Sequence, residues 1–172
     1  MLKNRIAGPI AASAFLVCSA SSFLLAQEIL TQKALSLDAA QVIARGVIET
    51  CRANGNHVTV TVIDASGTMK AFLRDDGTAP HTIDFSMRKA YTALTFRRTS
   101  AETGKAWAAN PPAPNIAGTV GTAGGVPIKY GTEVIGAVGV SGSPGGDKDE
   151  VCANAGIAKI AEQLKGFVSP TP

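Results

Sequence analysis

The sequence predicts an α+β domain, an antiparallel sheet covered by helices, and three observations carry that expectation. Two stretches, "HVTVTVIDASGTMKAFLR" and "VPIKYGTEVIGAVGVSG", read as β-hairpins. Helical periodicity fills the chain before, between and after them. Strand–helix–strand alternation of the parallel kind is absent, so a dinucleotide-binding fold does not fit.

Taken in order, Ser36 is placed to cap a first helix starting at Leu37, with Leu37, Ala40, Ala44, Val47 and Cys51 at helical spacing and Gly55 as its end. The first hairpin follows, with Val58, Val60 and Val62 on one face and "DASG" as its turn. After a second break, "DDGTAP", the stretch "HTIDFSMRKAYTALTF" reads as a helix lined by Ile83, Met87, Ala90 and Leu94. A short helix capped by Ser100 comes next. Then "NPPAPNIAGTVGTAGG" is a Pro/Gly loop of a length that is usually functional or mobile. After the second hairpin, "DKDEVCANAGIAKIAEQLKG" predicts one last helix, with Asp147 as N-cap, acids in its first turn and Gly166 as its stop.

A length of 172 residues, 45% hydrophobic and 17% charged, suits one domain with a sizeable core. The first 26 residues are set apart. Lys3 and Arg5 precede an apolar, small-residue run that meets no acid before Glu28, the pattern of a secretory signal peptide over 1–26, ahead of a single domain over 27–172. The competing reading is a membrane anchor of marginal length. Cleavage implies an exported protein, periplasmic or extracellular, with no membrane attachment afterwards. Lys+Arg 16 against Asp+Glu 13 gives +3, and loss of Lys3 and Arg5 lowers it to +1. With 5% aromatic residues and no basic patch, nucleic acid is not an expected partner.

The glycine-rich stretches carry no catalytic signature. They lack the Lys-Ser/Thr of a phosphate loop, and Ser141 stands outside a Gly-x-Ser-x-Gly elbow because Ser143 occupies the last position. Two histidines and the cysteines make no close metal-ligand set.

Five motifs in register resemble the GlcG/HbpS family, the haem-degrading domain family to which the C-terminal domain of PduO-type adenosyltransferases is similar. They are Val62–Asp64–Gly67 with Arg74, Asp76 and Gly77; Lys89 to Ala93; Gly124-Gly125-x-Pro127; Gly136-x-x-Gly139-x-Ser141-Gly142; and Asp147. The resemblance spans about Leu35 to Leu164. It implies a central antiparallel sheet of about five strands with helices on both faces, a homo-oligomer that is often an octamer, and haem as ligand in some members. One departure matters. A haem-binding relative places an iron-ligating histidine on the first helix, and Leu37 to Arg52 holds none. The imidazoles left are His81, the leading candidate for the iron, and His57, the runner-up.

The charged residues inside the motifs admit two readings. Arg74, Asp76 and Lys89 form an internal ion-pair network, or Arg74 and Lys89 face a ligand carboxylate, with Thr92 and Ser141 adding hydroxyls and Gly124 and Gly125 letting backbone come close. Haem propionates or a small organic acid satisfy the second. Three functions stay open: an exported, oligomeric haem (tetrapyrrole)-binding protein with haem degradation as an attendant activity; an enzyme or accessory protein acting on a small hydroxy or keto acid; and a structural oligomer without ligand. Whether a reaction is catalysed is left open by the residues. Finally, Cys51 ends the first helix and Cys152 begins the last. If those helices pack antiparallel on one sheet face the two cysteines meet as a disulfide; otherwise they are small buried hydrophobes.

Overall fold

The computed structural model describes residues 31–110 and 116–165; the expected leader, residues 111–115 near the start of the Pro/Gly loop and Gly166 lie outside the described residues. The elements are α1 (Leu37–Ala53), β1 (Thr59–Asp64), β2 (Met69–Arg74), α2 (His81–Phe96), α3 (Ser100–Ala109), β3 (Gly125–Tyr130), β4 (Glu133–Ser141), α4 (Gly146–Ala158) and α5 (Ala161–Leu164). Among the described residues the sheet has four strands, one fewer than the expected five, in the order β2-β1-β4-β3. All neighbours are antiparallel. Each hairpin pairs its own strands, and β1 joins β4 from Thr59↔Ser141 to Asp64↔Gly136.

Helices cover both faces. On one, Val58, Val60, Val62, Val138 and Val140 pack with Ile43, Val47 and Ala153 of α1 and α4. The disulfide Cys51–Cys152 pins these two helices, with Cα atoms 5.6 Å apart. On the other face α2 lies over β1, β4 and β3. Its buried residues are Thr82, Ser86, Lys89, Ala90, Thr92 and Ala93. The apolar stripe expected through Ile83 is therefore displaced, and Ile83 is exposed. The reason is pairing of hydroxyls across the layer, Thr59 with Thr82 at 2.7 Å and Thr61 with Ser86 at 2.8 Å. A buried hydroxyl so paired avoids most of its desolvation cost.

The glycines of β3 and β4 find their use here. A side chain on Gly139 would run into the backbone of α2 at Ser86 and Ala90, and one on Gly125 into the carbonyl of Lys89. These positions let the helix backbone lie against the strands.

One burial assignment and three boundaries differ from expectation. Leu37 begins α1, capped by Ser36 as expected, but is exposed rather than core. Thr99, not Ser100, caps α3, because its hydroxyl and Glu102 close a reciprocal capping box. The fourth helix starts at Gly146 after Gly145, with Asp147 inside its first turn instead of capping it. The last helical stretch is two pieces: the chain turns at Lys159 and Ile160, which buries Ile160 in the core. One non-glycine residue of the described chain has positive φ, Arg97 (φ 55), which ends α2 in the left-handed conformation.

Candidate functional site

A cleft of about 380 Å³ opens between the start of α2 and the turn that joins β4 to α4. His81, Phe85, Lys89, Ser141, Pro144 and Asp149 line it. His81 is the first residue of α2 and exposed. The cleft thus brings together three of the residues singled out in the sequence, His81, Lys89 and Ser141.

The stretch leading into α2 is held by a carboxylate that sequence reasoning passed over. Asp75 is 4% exposed. It accepts from Arg52 Nη2 at 2.6 Å and Nε at 3.0 Å, and lies 2.9 Å from His57 Nδ1. Its own loop adds the Asp76 amide at 2.8 Å, while the Thr78 hydroxyl donates to the Asp75 carbonyl at 2.9 Å. The Arg52 guanidinium, helped by the Asp76 amide and by His57, holds Asp75 well below the usual carboxylate range despite its burial. Arg74 donates to the Thr78 carbonyl. Arg74 therefore braces this loop from outside the cleft lining, and Asp76 is exposed in the turn.

Lys89 is 2% exposed, and its Nζ donates to Asp149 Oδ2 at 2.8 Å and to the Val140 carbonyl at 2.9 Å. Asp149, also 2% exposed, accepts the Ser143 amide on its other oxygen at 3.0 Å. The expected network of Arg74, Asp76 and Lys89 is thus replaced. Lys89 pairs with an acid that the sequence offered only as a helix start. The pair is internally neutral, so it fixes the cleft wall and supplies no net positive charge to it. Gly124 leaves the room: a Cβ there would stand 2.9 Å from Lys89 Nζ and 2.9 Å from Asp149 Cβ. Thr92 lies farther along α2, donating to the Arg88 carbonyl and accepting the Val120 amide at 2.7 Å. Gly124, Gly125, Thr92 and His57 are outside the cleft lining. Behind the wall, Cys51 Sγ lies 3.9 Å from the Ser143 hydroxyl.

No local signal marks Asp149: the stripe Thr82, Ser86, Lys89 and Ala93 is mostly polar, and the acid that its buried lysine requires comes from 60 residues away. Nothing in the local sequence marks Asp75 over Asp76. The choice follows from which of the two faces Arg52.

Chemically, the cleft offers one imidazole at its mouth, an aromatic ring beside it, and a rigid floor of hydroxyl and backbone groups. Among the described residues no group of three or more His, Cys, Asp or Glu could hold a metal ion by itself. No described helix is long and apolar enough to cross a membrane.

Comparison with known proteins bears on the family and the fold. A family model described as "Haem degrading protein HbpS-like" matches residues 35–158. A crystal structure of HbpS is 37% identical, with TM-score 0.74, covering 76% of this chain and 93% of its own. A double mutant of HbpS from Streptomyces reticuli is 34% identical, with TM-score 0.74, covering 90% of this chain and 97% of its own. The haem complex of PduOC shares the fold at 24% identity and TM-score 0.67, covering 74% of this chain and 96% of its own. No curated protein matches significantly.

Proposed function

Because this chain belongs to the HbpS-like family, we propose that it binds haem in the cleft at the start of α2, with His81 as the iron ligand. The observation that supports the reading is the exposed His81 imidazole at the mouth of a cleft that Phe85 also lines. An axial imidazole needs one free nitrogen and an open approach, and an aromatic wall suits a flat apolar macrocycle. A single imidazole suffices as donor to a group that brings its own four iron ligands. The first helix contributes no imidazole, so a ligand from that helix is replaced here by one from α2. Haem supplies the iron chemistry when bound; the protein binds, orients and shields it. The Lys89–Asp149 pair holds the wall at Ser143 in place. The propionates are assigned to the rim on the Arg74 side, because Lys89 is neutralised.

Haem titration tests the reading. The expected result is a Soret band that shifts, with about tenfold or greater loss of affinity, in His81→Ala and not in His57→Ala. A His81→Ala spectrum and affinity equal to wild type would remove this site. Loss of the Soret band with time under a reductant and oxygen reports degradation in the same cuvette. If the wild type takes up no haem, the small hydroxy- or keto-acid reading takes its place, with mass spectrometry of co-purified acids as its test.

The same proposal places the protein outside the cytoplasm as an oligomer. Export is supported by the leader and by the Cys51–Cys152 disulfide, which an oxidising compartment maintains. N-terminal sequencing should find a start near Gln27. Assembly is supported by exposed Met69 and Leu73 on the edge strand β2. Light scattering decides between monomer and multimer.

A further inference from the structure

At the opposite end of α2 lies a second pocket, about 310 Å³, lined by Gln32, Ser66, Tyr91, Thr95 and Arg97 among others. It shares no lining residue with the cleft at His81. The helix between them has 16 residues, which makes it roughly 24 Å long. This lining is polar where a packing defect would be apolar, and three features mark it as built. Arg97 occupies it in the left-handed conformation that glycine adopts freely and arginine does not. Arg97 is exposed at this end of α2 and, like Arg45, Arg74 and Arg98, makes no ion pair among the described residues, so its guanidinium is open to a ligand. Gly67 and Gly118 flank opposite edges of the Tyr91 ring, and a Cβ on either would stand 3.3 Å and 3.5 Å from it, respectively.

The neighbouring acid does not compete for Arg97. Asp64 Oδ1 accepts the Ser66 hydroxyl at 2.6 Å, the Ser66 amide at 2.9 Å and the Thr68 amide at 3.1 Å, and Oδ2 faces Lys70. We propose that this pocket binds a small oxyanion, a carboxylate or a phosphate, with the Arg97 guanidinium as its charged contact and the Tyr91 and Thr95 hydroxyls as further donors. A planar fork with two parallel N–H groups is the side chain best matched to such a ligand. The carbonyls at the end of α2 oppose an anion, but their partial charge is smaller than the full charge of the guanidinium.

The full-length protein as purified, without haem, is melted in acetate, in phosphate and in chloride at matched ionic strength. The expected result is a saturable rise in Tm with acetate or phosphate over chloride; the anion that saturates at lower concentration identifies the ligand class. Arg97→Gly removes the guanidinium and the backbone strain together. It should melt no lower than wild type in chloride, yet require at least roughly tenfold more anion for the same rise. Tyr91→Phe should show a smaller shift in the same direction. No saturable response of the wild type to either anion, or an undiminished response in Arg97→Gly, would overturn the assignment. Neither outcome bears on haem, because the pocket and the cleft have separate linings.

Discussion

Asp75 and Glu150 are two carboxylates that the fold treats in opposite ways. Asp75 is held ionised by Arg52, the Asp76 amide and His57. A carboxylate whose folded pKa lies below its unfolded one adds stability above the unfolded value of about 4, and that stability is lost as pH falls through the folded value. Asp75→Asn should therefore lower Tm at neutral pH and flatten the acid limb of the stability curve, checked by thermal melts across the acid range. Burial pushes Glu150 up, against a hydrogen bond from the Gly124 amide, with Glu102 adding repulsion. Its Oε2 is buried without a hydrogen-bond partner. The sign reverses: the folded state prefers the protonated acid, so the cost appears as pH rises above the unfolded value. Glu150→Gln should raise Tm at neutral pH and change it little near pH 3 to 4, roughly where the unfolded carboxyl already holds its proton. Parallel melts of wild type and variant at the two pH values check this.

Among the elements, α2 is the one whose packing face the sequence misled on. The hairpins were legible because β-branched residues alternate in β1 and because "GT" and "DASG" are turn chemistry. The cap at Ser36 was legible for the same local reason. In α2 the inward stripe is Thr82, Ser86, Lys89 and Ala93, which no apolar count selects; its partners are the hydroxyls of β1 and an acid 60 residues away. Lys89 and Ser141 stand out in the sequence through motifs, and His81 as one of the two imidazoles left once the first helix holds none, whereas Asp75 and Asp149 depend on tertiary neighbours. The hydroxyl seam gives a direct test. Ser86→Ala leaves the buried Thr61 hydroxyl without its partner and should cost about 1–3 kcal/mol. Adding Thr61→Val removes the orphan and should recover part of that loss. A double-mutant cycle by urea unfolding measures the coupling.

At the scale of the whole molecule, the disulfide closes around the entire sheet, since Cys51 precedes β1 and Cys152 follows β4 with a sequence separation of 101. In the chain-entropy view a loop of that length is worth up to about 4–5 kcal/mol. Replacing both cysteines with serine should lower the denaturation free energy by an amount of that order or less, while the far-ultraviolet circular dichroism of the folded state stays the same. The strand order has a different reach. The centre of the sheet joins β1 to β4, partners about 80 residues apart along the chain. A nascent chain that has released only the first hairpin therefore has two strands with one neighbour missing, and a lone hairpin is marginal in water. The apolar residues Val58, Val60 and Val62 have only α1 to pack against until β4 and α4 arrive in the final third of the polypeptide. The native sheet is therefore completed only when β4 has been delivered, after most of the chain has been synthesised.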